Sequence, residues 1–81
     1  MNTAIKTVST EVMKYNPQFD RFECNLSDLG WNPVPSTFLL FNPSSGIKET
    51  LTLRFSHYGD NQRLESWRYE SQRYRAIIKN I

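Results

Sequence analysis

From residue 21 to residue 26 apolar and polar side chains alternate one for one. Phe22, Cys24 and Leu26 fall on one side of an extended chain, and Arg21, Glu23 and Asn25 on the other. A period of two is that of a strand with one buried face. The same period runs through residues 49–58, where Leu51, Leu53 and Phe55 oppose Thr50, Thr52, Arg54 and Ser56. The β-rich run TFLLFN precedes it, separated by Pro43-Ser44-Ser45-Gly46, so the two read as a hairpin. Gly59-Asp60-Asn61 marks a second turn.

The ends of the chain are less regular. Ile5, Val8 and Val12 stand at helical spacing, with Asn2 or Thr3 as a cap and Pro17 as a stop, which predicts a short helix within residues 3–15. The β-branched Thr3, Thr7, Val8, Thr10 and Val12 work against it. Between residues 27 and 36, Gly30, Pro33 and Pro35 exclude a regular element, and Trp31 is expected to fold back over the edge of the core. The last twenty residues fit two patterns. As strands over 63–70 and 73–80 they put Trp67, Tyr69, Tyr74, Ala76 and Ile78 on the core side; as a helix they line up Trp67, Tyr74, Ile78 and Ile81. Good helix formers favour the helix, but no capping box opens it, and a strand followed by a tight turn continues naturally into a hairpin. The expected fold is therefore mainly β or α+β. It is a small antiparallel meander of three to five strands packed under a short N-terminal helix, with a C-terminal helix in place of the last two strands as the alternative.

With 81 residues there is material for one domain, spanning 1–81, and one modest core. Ten Lys and Arg against eight Asp and Glu leave a net charge of only +2. That charge is unevenly placed. Residues 1–61 hold five bases and six acids, whereas residues 62–81 hold Arg63, Arg68, Arg73, Arg75 and Lys79 against Glu65 and Glu70.

Recognisable catalytic chemistry is missing from the pattern. Cys24 and His57 are each the sole residue of their type, too few for a thiolate or imidazole metal site and with no spacing that pairs them as nucleophile and base. Glu65 and Glu70 are flanked by arginines, Asp60 lies in a turn, and Asp28 suits a local backbone contact. Gly30, Gly46 and Gly59 are isolated, so no phosphate-cradling loop exists. These observations predict a protein without catalytic residues, cofactor or metal. A lone cysteine, no apolar run near the ~20 residues of a membrane span and no signal-peptide or lipidation pattern predict a cytoplasmic protein. In that compartment the Asn25-Leu26-Ser27 sequon is a chance match.

What is left is a surface. In the strand pattern Arg68, Arg73 and Arg75 avoid the apolar side, and in the helical one Arg68, Gln72, Arg75 and Lys79 form a stripe, so a basic face results either way. Charged exposed faces are also what keeps any small domain soluble. Arginine, though, outnumbers lysine four to one here, and its planar fork suits carboxylate, phosphate and stacked rings. The candidate binding residues are Arg68, Arg73, Arg75 and Lys79, with Arg54 and Tyr58 added if the sheet extends through them. The expected function is stoichiometric binding, as an accessory factor or inhibitor, to an acidic protein surface. A nucleic acid is the alternative, disfavoured by a sequence pI of about 8.9. A homodimer through an edge strand, burying Ile77 and Ile81, is a third arrangement.

Overall fold

The computed structural model describes residues 5–81. Among these residues seven strands form one mixed sheet: β1 (Lys6–Ser9), β2 (Lys14–Asn16), β3 (Arg21–Asn25), β4 (Thr37–Phe41), β5 (Lys48–Tyr58), β6 (Leu64–Glu70) and β7 (Arg75–Lys79). A single helical turn, α1 (Leu26–Leu29), follows β3 and ends on Gly30 at φ 65°. The order across the sheet is β1-β4-β5-β6-β7-β3-β2. β1 runs parallel to β4 and β3 parallel to β7, and the other four pairs are antiparallel.

This order forces the sheet to curl. Seven strands laid flat put their outermost members about 29 Å apart at the usual inter-strand spacing. The two edge strands, however, are consecutive in the chain, and the path from Ser9 to Lys14 reaches about 18 Å at most. The edges must therefore approach each other and wrap the sheet around its own apolar face. That inner face carries Val8, Phe38, Leu40, Leu51, Trp67, Tyr69, Ala76, Ile78 and Cys24 as one buried cluster, joined by Met13 from the β1–β2 connection. Leu26, Leu29, Trp31 and Val34 close over it from the β3–β4 connection, where Trp31 stands 5.6 Å from the Phe38 ring.

The expected antiparallel meander of three to five strands is thus replaced by a seven-stranded mixed sheet, and the N-terminal helix is absent from the described residues. Ile5 and Val12, two of the three residues that set the helical spacing, are 46 % and 43 % exposed, while Val8 and Met13 are the ones buried. The β-branched residues win locally: Thr7 and Val8 pair with Leu39 and Leu40. Ser9 then turns the chain, its carbonyl accepting from the N–H groups of Val12 and Met13 and its hydroxyl from that of Glu11. The proposed caps Asn2 and Thr3 lie outside the described residues. The C-terminal helix is overturned as well, since β6 and β7 form an antiparallel pair in which Trp67 faces Ile78 and Tyr69 faces Ala76.

A second correction concerns β5. Leu53 pairs with Tyr69 and Phe55 with Arg68, so two steps on β5 match one on β6 and Arg54 is the extra residue of a bulge. The alternation resets there. Phe55, expected beside Leu51 and Leu53, is instead delivered to the outer face at 51 % exposure.

The buried Tyr69 hydroxyl donates to the Pro35 carbonyl over 2.7 Å, tying the β3–β4 connection to the sheet. Burial pushes its ionisation up to about 12. Tyr69→Phe is expected to cost about 1 kcal/mol in a denaturant melt, the worth of one buried hydrogen bond. An unchanged midpoint would show that the connection docks without it.

Candidate functional site

The outer face is read from cross-strand pairs. Glu70 and Arg75 face each other on β6 and β7, as do Arg68 and Ile77, and Ser66 and Lys79. On the far side of β7, Ile77 pairs with Glu23 and Lys79 with Asn25 of β3; on the near side of β6, Arg68 pairs with Phe55 of β5. A single row thus runs Phe55, Arg68, Ile77, Glu23, Lys14 across five strands. Ile77 is only 7 % exposed although it points away from the core, because its neighbours close over it.

Two grooves share this row. One of about 250 Å³ lies between Phe19, Phe55, Arg68 and Arg75, with Ile77 in its lining. The other, of about 560 Å³, is lined by Arg21, Arg63, Arg68, Ile77 and Lys79. Arg21, Arg68 and Ile77 line both. Each exposed ring is flanked by a guanidinium: Arg21 lies 4.6 Å from the Phe19 centroid and Arg68 5.4 Å from that of Phe55.

The charges on this face are not equivalent. Glu23, the carboxylate at its centre, receives Arg21 at 2.6 Å and Lys79 at 3.5 Å, and Asn16 donates to it as well. Partial burial opposes the charged form of Glu23, but the Arg21 hydrogen bond together with Lys79 outweighs it, and its pKa falls below the ordinary value. A depressed folded-state pKa means that the unfolded chain takes up its proton first as the solution is acidified. The contribution of Glu23 is therefore complete above about pH 4.5 and declines as pH falls through the folded value. The parent should lose stability on acidification below that pH more steeply than Glu23→Gln, as followed by thermal melts from pH 7 to 3. Parallel curves would remove Glu23 from the account. Arg75 pairs with Asp20 at 3.7 Å, and Asp20 also accepts the Tyr15 hydroxyl, which raises the Tyr15 pKa. Arg68 and Arg63 have no carboxylate within 4 Å among the described residues.

Of the six residues singled out from sequence, the fold brings Arg68, Arg75 and Lys79 to the two grooves and leaves the others outside them. Arg54 sits in the bulge with its guanidinium 3.8 Å from Glu70. Arg73 lies in the β6–β7 turn, stacked 5.8 Å from the Tyr74 ring. Tyr58, 54 % exposed, ends β5 and lines neither groove. Phe19, Arg21, Phe55, Arg63 and Ile77 were not expected to join the site. The polar parity of Arg21 on its strand was legible, but the neighbour of that strand is set by a parallel pairing to β7, which no local pattern announces. The edge-strand dimer loses its premise for Ile77, because β7 is interior to the sheet; Ile81, beyond it, is 72 % exposed.

Cys24 faces the core, where burial, with Asp28 adding to it, pushes its thiol up to about 11 and leaves little thiolate at neutral pH. His57 lies on β5, three strands away, beside Glu65 at 3.6 Å. No helix among the described residues is long and apolar enough to cross a membrane. Compared with protein-family models, curated proteins and solved structures, the chain matches none.

Proposed function

We propose that this protein acts by stoichiometric binding to another protein, through the outer face of β5, β6, β7 and β3, and that the partner presents an acidic surface there. The observation that carries this reading is Arg68. It is exposed, has no acidic partner among the described residues, and lies diagonally between Arg75 and Lys79 on the neighbouring strand. Cations at such diagonal positions repel mildly, which offsets the exposed contact of Arg68 with the Phe55 ring, so the fold gains little from the charge of Arg68, whereas an incoming carboxylate would gain a bidentate fork. Exposed phenylalanines beside arginines match the composition of interface centres.

The same face speaks against a nucleic acid. Asp20, Glu23, Glu65 and Glu70 are interleaved with its cations, so a phosphate backbone crossing it meets repulsion as well as attraction. On this reading the protein works in the cytoplasm, where its lone buried thiol stays reduced.

The test is capture from an extract of the source cells on immobilised protein. A host protein retained saturably by the parent and released by moderate salt, but not retained by Arg68→Glu, supports the proposal. Retention unaffected by the substitution overturns it, as does tight binding of labelled oligonucleotides with a steep salt dependence.

A further inference from the structure

Resting on that reading, we infer that the face is bipartite and recognises a short extended segment in which a large apolar side chain and a pair of carboxylates stand about four residues apart. The two grooves differ in chemistry. One is walled by the exposed rings of Phe19 and Phe55 and has Ile77 in its lining, which suits a desolvated apolar anchor. The other brings together Arg21, Arg63, Arg68 and Lys79, and Glu65 is the one acidic side chain in its lining. Glu65 is already engaged with His57, while Arg63 and Arg68 are left without carboxylates, so this groove is complementary to acids.

The spacing comes from β7. Arg75 lines the aromatic groove, Lys79 the cationic one, and Ile77 between them lines both. Four residues of strand advance about 13 Å, the distance an extended partner segment covers in four residues of its own. Arg68, reaching both grooves from β6, can pair with a carboxylate while its other side rests on the Phe55 ring.

The test uses four labelled twelve-residue peptides and fluorescence anisotropy with the intact protein. The first carries two glutamates and, four residues on, a tryptophan. The second has the tryptophan replaced by serine, the third the glutamates by lysine, and the fourth the tryptophan next to the glutamates. The first is expected to bind at least tenfold tighter than each of the others. Phe55→Ser should remove the advantage over the second peptide, and Arg63→Glu, which breaks no ion pair among the described residues, should cut the advantage over the third, both variants keeping the parent melting temperature. Equal binding of the first and second peptides overturns the bipartite site, as does no binding of any peptide at 1 mM or light scattering that shows the face closed by a second copy of the chain. An Arg68-dependent captured partner alongside peptides that fail would sink this inference alone and leave the broader one standing.

Discussion

Reversing the charge of Arg68 is expected to weaken partner binding by at least ~100-fold, since a central arginine is lost and a repulsive carboxylate takes its place. Stability should stay within about 0.5 kcal/mol of the parent. The reason lies in its surroundings. Arg68 forms no ion pair that the substitution would break, and a glutamate there would face Arg75 and Lys79 on its diagonals and be attracted to both. Arg75→Glu is the companion change. Its pair with Asp20 at 3.7 Å is exposed on both sides and contributes little, but a glutamate there would directly face Glu70 on β6, so binding should weaken at a cost to stability of up to about 1 kcal/mol. Titration calorimetry with the captured partner and melts of each variant check both halves. A folded Arg68→Glu protein that binds like the parent would remove the anchor of the site. Unfolding would show that the side chain is structural.

The largest effect on stability is expected at Phe38. It is fully buried at the junction of β4 with the β3–β4 connection, its ring 4.9 Å from Tyr69 and 5.6 Å from Trp31, and it pairs with Leu51 across the sheet. Truncation of such a residue to alanine costs about 3–5 kcal/mol. A chain of this length has a total stability of roughly 4–12 kcal/mol, so Phe38→Ala should melt far below the parent or fail to fold at ambient temperature. Urea unfolding followed by circular dichroism gives the answer, and a loss under about 1 kcal/mol would mean that the core is centred elsewhere.

These two residues also show what a sequence discloses. Leu51, Trp67, Tyr69 and Ile78 sit on the core side where their period of two put them, because burial of one sheet face is a local and repeated demand. The seven-strand order is different in kind. It depends on β3 meeting β7, fifty residues later in the chain, and on β1 meeting β4, pairings whose signature is no more than compatible edges. The bulge at Arg54 is silent in the pattern too, since Leu51, Leu53 and Phe55 alternate perfectly while the backbone does not. That one inserted residue moved Phe55 from an expected core position to the rim of a groove. Three of the six expected contact residues share a face because β6 and β7 are adjacent strands that carry them on the same parity; the phenylalanines and Arg21 join them through the curl and the parallel pairing. At the N terminus, three apolar residues at helical spacing misled, because β-branched side chains and an open sheet edge outweigh so short a period.

The most direct examination is an amide chemical-shift map of the isotopically labelled protein as the captured partner, or the first peptide above, is added. The account predicts shifts centred on Phe19, Phe55, Arg68 and Ile77 and reaching Arg63 and Lys79, with β1 and β4 silent. Shifts confined to β1, β2 or the β3–β4 connection, with Arg68 and Ile77 unmoved, would contradict it.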